Sequence, residues 1–479
     1  MKKIALSVLF ALFCALICTF SVSADGGEYL FKLKSGSQVP VSFLLCAEPQ
    51  KEDILATELG IYKTDDLELV EYYKELGILE FCEENGTVEL CDMPDTADFS
   101  YATSEYNSLS TSYGQLGVNA FWSLGITGKG VRIGVVDSGI SPHNDIVENL
   151  EVGYNYYEST NDTTDGVGHG TMVAGLIAAK GSSYYGIAPD AKVIPFRCYA
   201  ADGTGTNNIS SIATSITAAS EKYNCDIINL SLGTTTDSPT LKLAVDTAVN
   251  NGVIIVAASG NHGETVSTTD AYYYPASYEG VISVGNIQSN DELWKTSGEN
   301  DMVTVVAPGH LVRGLSKASG NASYTYNIGT SFSSPIVAGV IACMLEINPE
   351  LTPLQIKTII ENTATDLGRV GYDNSYGYGK VNCEKIVQKL LWEVNYRSKL
   401  VEYRNTYNVA LRNGTASPYT SKLFFARYSG GKMTGISEKN VSLSSCESIA
   451  FSFEKGDKVK LFEIDGAGYS QKRPVLVAG

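Results

Sequence analysis

Four short stretches carry residues whose types suit chemistry at a carbonyl. In Gly329-Thr330-Ser331-Phe332-Ser333-Ser334-Pro335, Ser331 stands at a turn ahead of the apolar run 336–345, which reads as a buried helix. Backbone N–H groups and the positive dipole end at such a helix start favour a negative oxygen forming there. Pro335 is expected in the first turn, where a missing N–H has no partner to lose. Asp137 closes the apolar stretch 131–136 and precedes Ser138-Gly139. His169 lies in Gly168-His169-Gly170-Thr171, and Asn261 follows Ala258-Ser259-Gly260. Each has an ordinary structural account when taken singly: a capped helix, a turn aspartate, a loop histidine, an asparagine in a left-handed turn. Together they make a set. A serine hydroxyl is a weak nucleophile until a base takes its proton, and a histidine can be that base and later the acid. A carboxylate would fix the imidazole tautomer, and an amide N–H would bind the oxyanion with the serine N–H. A metal role for His169 is disfavoured, because no second histidine sits at helical spacing.

These residues need a frame that brings them to one place. Between about 116 and 391, apolar strands alternate with helical patterns. The expected strands are 131–136, 193–196, 227–230, 253–257 and 281–284, and the expected helices are 171–180, 207–223, 240–250 and 331–346. Strands this apolar are buried on both faces, which predicts an α/β fold with a mostly parallel sheet covered by helices. In such sheets ligands gather at the carboxyl ends of the strands, where Asp137 and Asn261 fall.

Four blocks, 135–140, 168–175, 258–261 and 329–335, and their order Asp137, His169, Asn261, Ser331, resemble those of the subtilisin-like serine proteases, the subtilases. The resemblance spans residues 116–391 and implies the subtilisin-like α/β fold. It also implies a serine endopeptidase acting on extended polypeptide, with Ser331 as nucleophile, His169 as base and acid, Asp137 as its orienter and Asn261 in the oxyanion hole. By the same resemblance, Gly203, Thr204 and Gly205 pair with the substrate backbone. Ser231, Leu232 and Gly233 form the opposing edge and one wall of the main specificity pocket, and Ala258, Ser259 and Gly260 form the other. Tyr273 stands at the pocket base where many relatives carry glycine, favouring a small or medium side chain before the scissile bond (P1). Asn207 replaces the aromatic wall many relatives offer to the fourth side chain back (P4). Met172 replaces the histidine usual in His-Gly-Thr-His. The loop 180–186 is shorter than the family's calcium loop and lacks its asparagines, so no cofactor is required and calcium is not expected there. Asp162 and Asp165 are the alternative candidates for a weaker calcium site, against a reading of both as solvated loop residues.

The rest of the chain frames this region. The protein has 479 residues, 44% of them hydrophobic, enough for two or three domains with cores of their own. Its net charge is −18 and no basic patch stands out, so no nucleic-acid partner is expected. Residues 1–24 read as a secretory signal peptide, with Lys2-Lys3, an apolar stretch and Val22-Ser23-Ala24, which predicts a secreted protein. Residues 25–95 form a small α+β unit resembling subtilase propeptides, especially over 78–90; the resemblance implies a folding assistant and intramolecular inhibitor that is cut away. Residues 96–115 are rich in Ser, Thr and Tyr and read as a linker open to the maturation cut. From 392 to 479, alternating segments predict an antiparallel β domain. It resembles accessory modules of bacterial cell-surface proteins, which implies association with substrate or cell wall. Eight of the ten cysteines lie beyond the signal, with no C-x-x-C pair. Cys343 is expected in the core. Cys82 and Cys91 flank Asn85-Gly86 in an expected hairpin of 78–82 with 87–91, where they are candidates for a disulfide. The rival class is an exported binding protein using the protease fold as scaffold. A lipase or esterase is disfavoured, since Ser331 lacks the Gly-x-Ser-x-Gly elbow.

Overall fold

The computed structural model describes residues 27–35, 54–90, 113–181, 184–200, 207–263, 271–317 and 323–393, and a set of strands between 398 and 478. The expected signal peptide and most of the expected linker lie outside the described residues.

The N-terminal unit is a three-stranded antiparallel sheet of order β2-β1-β3, built from β1 (Tyr29–Leu33), β2 (Ile61–Thr64) and β3 (Leu79–Glu84). Helix α1 (Leu67–Glu75) packs on it through Val70 and Tyr73 against Phe31. The helix starts where Asp66 accepts the Leu69 N–H at 3.0 Å and ends before Gly77, whose φ of +67° suits a left-handed stop. The expected hairpin does not form. The two residues of β4 (Glu89–Leu90) pair with a strand of the next unit instead. The Asn85-Gly86 pair is spent elsewhere: Asn85 N–H donates to the Glu28 carbonyl, its side chain bonds Ser210, and the Gly86 carbonyl accepts from the Ile209 N–H. With the two strands parted, Cys82 is a free thiol, and Cys91 lies outside the described residues.

The central unit is a seven-stranded parallel sheet. In chain order its strands are β5 (Arg132–Asp137), β6 (Tyr154–Asn155), β7 (Lys192–Arg197), β8 (Ile227–Leu230), β10 (Ile254–Ala258), β11 (Ile282–Ile287) and β12 (Val303–Pro308), with the two-residue edge β9 (Leu232–Gly233) following β8. The spatial order is β12-β11-β10-β8-β5-β7-β6. Successive residues feed opposite faces. Val135, Val193, Ile227 and Val256 join one apolar cluster, while Val136, Ile194, Ile228 and Ile255 join the other. Helices α2 (His169–Ala178) and α5 (Thr330–Ile347) cover the first face, and α3 (Ile209–Glu221) and α4 (Pro239–Asn250) cover the second. The hairpin β13 (Val312–Leu315)–β14 (Tyr324–Asn327) and helices α6 (Pro353–Thr363) and α7 (Cys383–Glu393) complete the unit.

Helix α5 is apolar because it is enclosed: it packs on α2 and on four strands of the sheet, and Cys343 is fully buried within it. Pro335 is the sixth residue of this helix, which begins at Thr330, and therefore lies past the first turn where it was expected. The C-terminal region holds β15 (Ser398–Tyr403), β16 (Thr406–Arg412), β17 (Tyr419–Ser429), β18 (Lys432–Leu443), β19 (Ser448–Glu454), β20 (Lys458–Ile464) and β21 (Leu476–Ala478). They form two antiparallel sheets, β15-β16-β19 and β18-β17-β20-β21.

Candidate active site

Asp137 is the last residue of β5 and is fully buried. Its Oδ1 accepts the ring Nδ1–H of His169 at 2.7 Å and the Ser138 N–H at 2.7 Å. A carboxylate only accepts, so Nδ1 carries the hydrogen and Nε2 is the basic nitrogen of the neutral ring. Burial pushes the Asp137 carboxyl above its ordinary range; the His169 ring and the Ser138 N–H pull it back, and the nearby Asp165 adds to the rise. Glycines let helix α2 seat on the strand end. Gly168 holds φ at +107°, and a β-carbon on Gly170 would collide with the Gly139 carbonyl and come within 3.0 Å of Asp137 Oδ1.

Asp165 is neither a solvated loop residue nor a cation ligand. It is 4% exposed, and protein donors fill its carboxylate. Oδ1 accepts from Ser138 Oγ at 2.8 Å and from the N–H groups of Val167 and Gly168 at 2.9 and 2.6 Å. Oδ2 accepts from the Thr171 N–H and Oγ1 at 2.9 and 2.6 Å. Ser138 Oγ in turn accepts the Gly170 N–H at 3.0 Å, so Asp165 ties the start of α2 to the end of β5 on both sides of His169. Asp162 is exposed and accepts the Thr164 N–H. The carboxylates that border the described part of loop 180–186 have protein partners. Lys180 places its ammonium 2.5 Å from Asp190, and the adjoining Asp145 carboxylate accepts from Tyr324 Oη at 2.6 Å. Among the described residues, no three His, Cys, Asp or Glu side chains converge on a metal-sized site.

An Asp165→Asn variant tests this tie. An amide nitrogen replaces one acceptor oxygen and faces donors, so stability is expected to fall by about 1–3 kcal/mol, read by thermal unfolding. Removing a buried negative charge also disfavours a protonated His169. If neutral His169 is the base, the acid limb of the rate profile is therefore expected to move to lower pH. An unmoved acid limb would contradict the electrostatic coupling.

Ser331 is the second residue of α5 and is fully buried. Its N–H belongs to the first turn, whose donors have no intrahelical acceptor. Its Oγ donates to the Ser231 carbonyl at 3.1 Å in this structure. The His169 ring packs against Phe332, the next residue, with centroids 5.4 Å apart. Asn261 Oδ1 accepts both the Thr330 N–H and Thr330 Oγ1, at 3.0 and 3.1 Å. Those two donors fix which end of the amide is oxygen, so Nδ2 is the donor end, one residue from Ser331.

The expected substrate edge is in use by the chain itself. β4 pairs antiparallel with β9, Glu89 opposite Gly233 and Leu90 opposite Leu232. Val88 is buried, and its N–H donates to Asn207 Oδ1 at 2.8 Å, at the position where the sequence shows no aromatic wall. Gly203, Thr204 and Gly205 lie outside the described residues. Two anchoring residues had escaped the sequence reading. Glu83 Oε1 accepts from Ser238 Oγ at 3.0 Å and from the Thr240 N–H at 2.7 Å, at the start of α4. Asn85 exchanges two bonds with Ser210 at the start of α3. The only sequence signal was an acidic and an amide residue in the same unit, with nothing to name their partners.

Ala258 ends β10, and Ser259 Oγ donates to the Gly298 carbonyl at 3.3 Å. Tyr273 is 3% exposed and lies between the two glycine walls. A β-carbon on Gly260 would meet its Cγ at 2.9 Å, and one on Gly233 would collide with the ring. A cavity of only about 20 Å³ remains, lined by Ser259, Gly260, His262 and Tyr273 among others. Met172 is buried against Gly314, away from the Asp137–His169 pair.

The family model described as the subtilase family matches residues 128–379. Subtilisin BL of Lederbergia lenta is 39% identical over 262 residues, which is 54% of this chain and 91% of that protein. Subtilisin E of Bacillus subtilis (strain 168) is 39% identical over 285 residues, 58% of this chain and 72% of that protein. The minor extracellular protease Epr of the same organism is 36% identical over 266 residues, 55% of this chain, and the match spans 39% of that protein's length. The matched span contains the parallel sheet, the buried carboxylate–imidazole pair and the serine-bearing helix start: the chain belongs to the subtilase family of serine-type endopeptidases.

Proposed function

We propose that this protein is a secreted endopeptidase that hydrolyses extended polypeptide through Ser331, and that its N-terminal unit holds it inactive until cut away. The observation that carries the reading is the buried Asp137–His169 pair at 2.7 Å beside the start of α5, where Ser331 sits. In this reading His169 Nε2 takes the proton from Ser331 Oγ, which first leaves its bond to the Ser231 carbonyl. The oxygen attacks the scissile carbonyl, and Ser331 N–H and Asn261 Nδ2–H receive the oxyanion. His169 then gives its proton to the leaving amine. Asp137 keeps the ring oriented and stabilises its charged form. Water repeats the sequence on the acyl-enzyme.

The inhibitory role of residues 25–95 is supported by β4, which occupies the β9 edge as a substrate strand would. We place the maturation cut in the first residues beyond Leu90, because β4 is already seated; this is upstream of the 96–115 linker expected from composition. The test is to purify the chain from residue 25 onward, follow its intact mass, and add casein to the matured form. A new N-terminus shortly after Leu90 and hydrolysed casein are the expected results. Matured protein that leaves casein intact would favour the scaffold reading. For the C-terminal sheets we propose attachment to the cell surface or substrate, supported by their position outside the family match.

Tyr273 sets the side chain accepted before the scissile bond. With the ring between Gly233 and Gly260, the pocket suits alanine, serine or cysteine, and the residue that follows Leu90 in the sequence is Cys91. Tyr273→Gly is expected to raise kcat/KM for a peptide with phenylalanine at that position by about 10- to 100-fold, from burial of roughly 1.5–3 kcal/mol of apolar surface. The alanine peptide should change little. Equal gains on both peptides would overturn the assignment.

A further inference from the structure

The Pro335 that lies deeper than expected in α5 points to a device for holding the nucleophile. In a helix the carbonyl of one residue accepts the N–H four residues on. For Ser331 that residue is Pro335, which has no N–H, and whose ring crowds the same carbonyl. The carbonyl of a fully buried residue is thereby left to find another donor.

It finds Ser231. Ser231 Oγ donates to the Ser331 carbonyl at 2.8 Å, while Ser331 Oγ donates to the Ser231 carbonyl at 3.1 Å. The direction of the first bond is enforced from behind. Ser334 Oγ donates to Asn229 Oδ1 at 2.8 Å, which turns the Asn229 amide so that its Nδ2 donates to Ser231 Oγ at 2.9 Å. With its oxygen accepting from Asn229, the Ser231 hydroxyl has its own hydrogen to give to Ser331. Asn229, Ser231, Ser331 and Ser334 are all fully buried, so water does not compete for these donors and acceptors.

We infer that Ser231 is a positioning residue for Ser331, acting through its side chain and independently of its backbone place beside the substrate edge. Pro335 frees the Ser331 carbonyl, and the Ser334–Asn229–Ser231 relay captures it, fixing the first turn of α5 against the end of β8. This rests on the reading of Ser331 as nucleophile.

The experiment is a double-mutant cycle on the full precursor, with kcat and KM normalised by active-site titration. Ser231→Ala alone is expected to lower kcat roughly tenfold with KM within about twofold, because a slight misplacement costs rate while the β9 edge persists. Pro335→Ala supplies the missing N–H to the Ser331 carbonyl. In that background Ser231→Ala should cost less than about threefold. An equal loss in both backgrounds, or a loss confined to KM, would overturn the inference. Should Ser231→Ala fail to mature, the cycle is run with Ser334→Ala, which keeps the Ser231 hydroxyl. The same coupling with smaller amplitude is expected, and its absence counts against the relay. If Ser331→Ala proves as active as wild type, the underlying reading fails, and that outcome is separate from either result of the cycle.

Discussion

Replacing Ser331 by alanine is expected to leave the precursor uncut and to lower kcat on a peptide by about a millionfold, the loss known for removal of the nucleophile or base from subtilisin, a relative of this chain. The reason is that in the proposed mechanism Ser331 and His169 act as one unit. Without the hydroxyl the imidazole has no proton to take, and without the imidazole the hydroxyl is a poor nucleophile. His169→Ala is therefore expected to cost about as much, and the double variant no more than either single one. The fold should survive Ser331→Ala, since the hydroxyl's one bond goes to the Ser231 carbonyl, which keeps its place in the chain. Intact mass separates the arms. Wild type is expected to shorten by its N-terminal unit, while Ser331→Ala is expected to keep the full mass. A variant that is cut at the same bond when purified apart from wild type would remove Ser331 from the reaction.

Much of this site was legible because short-range rules and long-range placement agreed. Asp137 and Asn261 were expected beyond strand ends, and β5 and β10 deliver them there. Strands 131–136 and 253–257 each shift by one residue, since the sequence marks the apolar run and the ladder continues onto the residue that follows. Helix α5 was expected from Ser331 and begins at Thr330. Counted from either start, Pro335 lies in the second turn and not at a first-turn position, so its meaning changes from a tolerated start to the cause of a carbonyl without its helical donor.

Other features were hidden because their physics is not local. Asn85-Gly86 carries the strongest short hairpin signal, yet Asn85 gains more by bonding Ser210, 125 residues away, and β4 by pairing with β9. Asp165 looks like a loop carboxylate until Ser138 and Thr171 close around it. Strand β12 and the hairpin β13–β14 were not among the expected strands, and their pairing depends on β11 and on each other. Helix α6 was recoverable: Thr352-Pro353 with Gln355 makes a capping box with proline at the first helical position, and both reciprocal bonds are present.

Asn261 offers the second large effect, and the structure allows its two ends to be tested apart. Asn261→Ala removes the proposed oxyanion donor and also strips Thr330 of its acceptor, so the expected loss mixes catalysis with the anchoring of α5. Asn261→Asp keeps an oxygen toward the Thr330 N–H and Oγ1 and replaces the N–H donor by a carboxylate oxygen. In subtilisin itself, loss of the equivalent donor costs about 100- to 1,000-fold in kcat, or about 2.7–4 kcal/mol. Asn261→Asp is expected to lose at least that much, because a carboxylate repels the developing oxyanion, while KM and thermal stability stay near wild type. Asn261→Ala should lose a similar rate with lower stability. If the aspartate variant kept full rate, the oxyanion would be held by the Ser331 N–H alone, and Asn261 would be left with the anchoring of Thr330 as its whole role.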